Sequence, residues 1–272
     1  MLFKVYPAHK INILLALAQL MIFGIIGKFL LHNNTSWTNL AICISTSVLI
    51  EHIFLYLVYK KLSYISISSI NTPFSTALML ASTNSLMYIP ILILAIGQKY
   101  ILKIRGKHFQ NPSNLVIFIA MLFFSNYFSI NFMSFGIYWW LIIPLSCIGI
   151  YITYKVHILH MIPAFVLAFF TIFTVLTGMT FAQVMPFVFS LNFLLFTFYM
   201  QTDPKTVPST ATFQIIHSFC TVIMIALFYN TTHTTQLMFY GGLFFAQLFV
   251  PLWRYLEEKT SVDSWVRGFI CS

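Results

Sequence analysis

Between Ile11 and Tyr255 the chain reads as one apolar run after another, each closed by a short polar stretch. That pattern excludes a water-facing globule. Soluble domains give about a quarter of their residues to Asp, Glu, Lys and Arg, whereas here those types make up 7% of 272 residues. Phe alone contributes 30, which suits surfaces that face lipid or pack helix on helix. The expected fold is all-α: a polytopic transmembrane helical bundle forming a single membrane domain over 1–272, with a short tail at 256–272.

A bilayer core of about 30 Å takes roughly 20 apolar residues per helix. Apolar runs bounded by polar punctuation give ten candidate segments: Ile11–Leu31, Thr38–Tyr59, Ile65–Ser82, Leu86–Ile104, Ser113–Phe124, Ile137–Tyr154, His160–Thr180, Val184–Met200, Ala211–Tyr229 and Leu237–Tyr255. Pro73, Pro90, Pro144 and Pro163 fall inside such runs. Broken or re-entrant helices survive in a membrane only where protein or an aqueous cavity covers the freed backbone groups. The short Ser113–Phe124 is the best re-entrant candidate.

Charge tests this segmentation independently. Lys4, Lys10, Lys60, Lys61, Arg105, Lys107, Lys155, Lys205, Lys259 and Arg267 all follow an even number of segments, and Lys99, Lys103 and Arg254 stand in the closing residues of the fourth and tenth. The opposite loops carry no Lys or Arg, and Lys28 alone departs from the pattern. Cytoplasmic loops collect Lys and Arg, so both termini are expected in the cytoplasm. The first apolar run is longer than a signal-peptide core and lacks a small-residue cleavage site, so it is read as a span. The net charge of +9 follows from the same bias, and its cations are too few and dispersed for nucleic acid. Cys43, Cys147, Cys220 and Cys271 form no CxxC pair; three lie in apolar runs, where Cys behaves as a small hydrophobe, and no metal site is expected.

Two polar turns share a design. Gly106-Lys107-His108-Phe-Gln-Asn111-Pro112-Ser-Asn114 and Thr202-Asp203-Pro204-Lys-Thr206-Val-Pro-Ser-Thr each place Asn or Asp before Pro ahead of an apolar run. Asn and Asp are good N-caps, and Pro suits the first helical position. Each turn is expected to start a helix. Either the pair are simply well-capped helix starts, or their N–H groups hold an anion or polar ligand, as half-helix ends do in transporters.

These turns resemble the two signature turns of the NqrB/RnfD family, the membrane subunits of sodium-pumping and Rnf-type electron-transport complexes. Arg105–Asn114 and Thr202–Thr210 carry the likeness, in the order the family has them, and it is closest to short stand-alone bacterial members. The resemblance implies a fold similar to urea transporters, a bacterial inner-membrane location and partner electron-transport subunits on the cytoplasmic face. It also implies flavin- or quinone-linked electron transfer coupled to ion movement. It places cofactor binding on Gly106, Lys107, His108, Asn111, Pro112, Asn114, Thr202, Asp203, Pro204 and Thr206. The family's covalent FMN hangs from the Thr of an S/T-G-A-T loop, and Ser125–Trp140 holds nothing like it. Thr177-Gly-Met-Thr180 comes too late and reads as a helix-end turn. A covalent flavin is therefore not expected, and a non-covalent flavin or a quinone is.

Glu51 is the acidic residue inside an apolar segment, and such groups default to function, here an ion path. His157 and His160 are spaced to share a helix face. Asn71, Asn84, Asn126, Asn131 and Asn192 read as ties between helices. Trp139 and Trp140 read as interface aromatics. No Ser-His-Asp set, phosphate loop or carboxylate pair can be assembled, so no self-contained catalysis is expected. The alternative to the redox subunit is a non-redox channel or transporter for a small solute or ion on the same fold; a structural subunit is the third reading.

Overall fold

The computed structural model describes residues 36–60, 67–104, 106–130 and 142–259. Lys28, the first segment, Trp139, Trp140, Asn131, Arg105 and the residues after Lys259 lie outside them. The described chain is mostly helical. Three helices, Trp37–Tyr59, Ala211–Thr232 and Leu237–Lys259, are long and apolar enough to cross a membrane. A fourth crossing would be Phe181–Val188 with Asn192–Gln201, bent by 68° at its break.

Packing divides the chain into two compact units. The first opens with α1 (Trp37–Tyr59), capped by Ser36, whose hydroxyl accepts the Thr38 N–H. Next come α2 (Ile67–Met79), strand β1 (Leu80–Ser82), α3 (Tyr88–Ile101), α4 (Pro112–Phe123) from Leu115 onward, and strand β4 (Phe128–Ile130). Here the expected spans are corrected. The helices α2, α3 and α4 have 13, 14 and 12 residues, and at 1.5 Å per residue such helices reach about 20 Å, short of a bilayer core. The ends of α2 and α4 run on into β1 and β4, which pair antiparallel with Leu80 opposite Ile130 and Ser82 opposite Phe128. Backbone that leaves a helix must find other hydrogen-bond partners when buried, and this ladder supplies them. The Tyr88 hydroxyl donates to the Leu80 carbonyl at 2.6 Å, and the Thr83 N–H donates to Tyr127 O at 3.0 Å.

The second unit begins with a hairpin of β2 (Lys103–Ile104) and β3 (Lys107–His108), then takes the first turn of α4. It continues with α5 (Ile142–Lys155) and α6 (Met161–Ala168), which passes through a π-helical stretch, Phe169–Phe173, to Thr177. Gly178 closes that helix in the left-handed conformation (φ 70°), and Thr180 opens α7 (Phe181–Val188) with its N–H donating to Gln183 Oε1 at 2.8 Å. Thr177–Thr180 is therefore the helix-end turn expected. Then follow α8 (Leu191–Leu195), the π-helical Phe196–Gln201, α9 (Ala211–Thr232), α10 (Thr235–Gln247) and α11 (Val250–Lys259). The tail expected from residue 256 is still helix to Lys259.

Proline placement explains several boundaries. Pro90, Pro144 and Pro163 are the third residues of α3, α5 and α6, where the missing N–H has no intrahelical partner to lose. They start helices and do not break them. Pro73 lies inside α2 and Pro186 inside α7, one turn before the bend.

The core of this unit is aromatic. Phe165, Phe169, Phe173, Phe193 and Phe196 are fully buried. The Phe169 ring stacks on Phe173 at 4.4 Å and meets Phe193 edge-on at 5.0 Å. Both π-helical stretches feed rings into this cluster. The Tyr240 hydroxyl donates to Asn192 Oδ1 at 3.1 Å, so Asn192 ties two helices as read from the sequence. Asn230 lies in the last turn of α9 and donates to Leu176 O at 2.9 Å. His157 and His160 share no helix face: His157 is a left-handed turn residue (φ 59°) and His160 precedes α6.

Candidate functional site

The two signature turns, 92 residues apart between Asn111 and Asp203, meet in the second unit through Asn111 Nδ2 donating to Asp203 Oδ2 at 3.2 Å. Each turn first satisfies itself. Asn111 Oδ1 accepts the Asn114 N–H at 3.1 Å, which makes Asn111 the N-cap of α4 with Pro112 at its first position, as the sequence predicts.

Asp203 is different. Its Oδ1 accepts the Lys205 N–H at 3.0 Å and its carbonyl accepts the Thr206 N–H at 3.0 Å, closing one tight turn. No helix starts there, so the expected cap with Pro204 at the first helical position is corrected. Pro208 lacks an N–H and disfavours helical backbone at Val207, and α9 begins only at Ala211. The N–H groups of Ser209 and Thr210 and the Thr210 hydroxyl all donate to Glu257 Oε1, at 2.8, 2.8 and 2.9 Å. At this helix start the chain supplies its own anion.

Three residues from α10 and α11 hold the turns together, and sequence reasoning passed over all three. Gln247 Oε1 accepts the Asn111 N–H at 2.9 Å while its Nε2 donates to Thr206 Oγ1 at 3.2 Å. Arg254, read from the sequence as a loop cation, is 3% exposed. It donates to the carbonyls of Lys205 at 2.8 Å, Val207 at 3.3 Å and Lys107 at 3.4 Å. Glu257 completes the clasp. The sequence signal was limited to spacing: Arg254 and Glu257 are three apart on α11 and so lie on neighbouring positions of one helix face.

The remaining candidates take definite places. Gly106 turns the β2–β3 hairpin at φ 75°. The Lys107 side chain is exposed, that of His108 half-buried, and Pro204 is exposed. Thr202 turns its hydroxyl back onto Phe198 O at 2.7 Å, so it braces the π-helical end and does not reach the other turn. Asn114 is fully buried and donates to Tyr240 O at 3.0 Å, and Gln110 donates to Phe244 O at 3.1 Å.

Buried polar atoms without a hydrogen-bond partner collect around this clasp. Both amide atoms of Gln201, both ring nitrogens of His217 and Oδ1 of Asn114 are in that state, and all three residues are 0% exposed. Gln201 directly precedes Thr202, Asn114 is bonded to Asn111, and His217 lies within electrostatic reach of Arg254. His217 belongs to a buried polar stripe on α9, with Gln214, Ser218 and Thr221, at the 3- and 4-residue spacing of one helix face. An unmet buried polar group costs on the order of 1–3 kcal/mol, and such groups in native proteins are normally satisfied. Together these three offer an uncharged mixture of donors and acceptors.

Glu51 belongs to the first unit. It is buried on α1, 6% exposed, and within electrostatic reach of Tyr100 on α3. There Lys99 Nζ donates to Thr72 Oγ1 at 3.0 Å, so Lys99 is tied to α2 and is not a loop cation.

The bond between the turns is measurable. Asn111→Ala and Asp203→Ala should be non-additive, with a coupling of about 1–2 kcal/mol in thermal or denaturant unfolding. Additive losses would mean that the two turns stand independently.

No family model matches the chain, and no curated protein is significantly similar to it.

Proposed function

We propose that this chain is an integral membrane subunit of the NqrB/RnfD type that takes part in electron-transfer-linked transmembrane transport. It holds a non-covalent flavin or a quinone at the joined turns. The observation that carries the reading is the bond between Asn111 and Asp203, which unites the two motifs on which the resemblance rests. The residues fit such a ring. Gln201, Asn114 and His217 offer unmet donors and acceptors without net charge, which suits the carbonyl and N–H edge of a neutral heterocycle or the carbonyls of a quinone. The bound group would supply the electron-carrying ring; the chain's part is to position it and exclude water. In this reading the fold is a bundle of about ten segments similar to urea transporters, in a bacterial inner membrane with both termini cytoplasmic. Redox partner subunits dock on the lysine-bearing face beside Lys107 and Lys205, and Glu51 serves the ion path in the first unit.

An absorption spectrum of detergent-purified protein, with acid release of any chromophore and lipid extraction for quinone, tests it. Flavin or quinone should be present in the wild type and lost in Asn111→Ala and Asp203→Ala protein that still elutes as a folded species. A preparation free of both would overturn the redox reading. The second reading, a non-redox path for a small uncharged solute, is favoured by the same uncharged polar set and would then be tested by solute flux into proteoliposomes.

A further inference from the structure

We propose that the ends of α1, α5 and α11 bind the phosphate headgroups of anionic phospholipids through three tyrosine–lysine clamps. In each, a Tyr precedes a Lys by four residues at the C-terminal end of a helix: Tyr56 and Lys60, Tyr151 and Lys155, Tyr255 and Lys259. Residues four apart share a helix face, and the ammonium stands over the ring at 5.5, 5.6 and 4.7 Å from its centroid. The three tyrosines are 53%, 53% and 48% exposed. Immediately inward of each lies exposed apolar surface: Ile53 before the first, Ile150 before the second, Leu252 before the third. Each clamp therefore stands where a lipid-facing surface ends.

The chemistry there selects one occupant. Tyr rings prefer the headgroup level, and a Lys stem laid along apolar surface lifts its ammonium into it. A cation at a helix C-terminus also meets the negative end of the helix dipole. No Asp or Glu lies between Tyr56 and Lys60 or between Tyr151 and Lys155, so neither clamp is neutralised from within. The ring holds the ammonium without cancelling its charge, leaving it to pair with a phosphate. Glu257 and Glu258 precede Lys259, so the third clamp contributes least. The inference rests on the membrane reading alone and stands whether or not the chain carries electrons.

The test is the selectivity of the full chain for spin-labelled phosphatidylglycerol over spin-labelled phosphatidylcholine, measured by electron spin resonance in phosphatidylcholine bilayers. A lysine close to the surface strengthens association with anionic lipid about five-fold. Wild type should therefore prefer phosphatidylglycerol several-fold. The variant with Lys60→Gln, Lys155→Gln and Lys259→Gln should fall near parity, and the three Lys→Arg changes should keep the preference. Should the triple variant fail to assemble, Lys60→Gln and Lys155→Gln taken singly must each lower the preference. An unchanged preference in the Gln variants overturns the proposal. Loss of the wild-type preference when glycerol phosphate is added in solution also overturns it, assigning the clamps to a soluble phosphate.

Discussion

Arg254→Leu is expected to be the most damaging single substitution in the second unit, because each buried acceptor it leaves unmet costs on the order of 1–3 kcal/mol. Leucine leaves the carbonyls of Lys205, Val207 and Lys107 without the donor that now reaches them. Lys205 and Val207 belong to a turn that has few backbone bonds of its own. Without the guanidinium, the Asp203–Thr210 loop keeps its bonds to Asn111, Gln247, Gln214 and Glu257 but loses the one group that ties Lys205 and Val207 to Lys107. The measurement is the melting temperature of detergent-solubilised protein, followed by size-exclusion chromatography. Arg254→Lys should recover part of the loss, because a single ammonium cannot reach carbonyls that a planar fork spans. A leucine variant that melts with the wild type would show that the loop holds itself.

The same residue marks the limit of what could be read from the sequence. Apolar runs gave the helical class and the long helices α1 and α9 nearly to the residue, because hydropathy acts through length alone. The Asn111 cap was legible for the same reason: a cap is a local device. What failed was non-local. That α2 and α4 stop short and run into paired strands depends on Leu80 finding Ile130, and no periodicity within either segment records it. Arg254 reads as a cytoplasmic-side cation because loops on that face collect Lys and Arg. Here it turns inward, to carbonyls that another part of the chain supplies. Gln201 and His217 were passed over as polar residues in apolar runs. Their burial, and the lack of partners for their polar atoms, appear only when neighbouring helices are in place.

Gly242→Ala carries the second large effect, and it tests the spacing on which the site depends. A Cβ at Gly242 would fall 2.6 Å from the backbone N and Cα of Ile225. Backbone cannot swing aside as a ring can, so α9 and α10 must separate. Overpacking typically costs about 1–3 kcal/mol, and an obstacle made of main chain puts this case at the upper end. The comparison with Gly241 separates close approach from helix propensity. There an added Cβ meets the Phe228 ring at 2.8 Å, and a rotamer change relieves part of the clash, so Gly241→Ala should cost less. Gly106→Ala meets nothing within 4 Å and carries only the strain of φ 75°, about 1 kcal/mol. If the three substitutions lower the melting temperature in that order, helix contact is the cause; equal losses would point to backbone entropy instead. The consequence extends to function, because the close approach of Gly242 to Ile225 sets how α9 lies along α10. His217 lies two turns before Ile225 on α9, and Gln247 lies beyond Gly242 on α10, towards the turns. A separation at Gly242 should therefore loosen ligand retention in protein that still folds, and Gly106→Ala should leave retention unchanged.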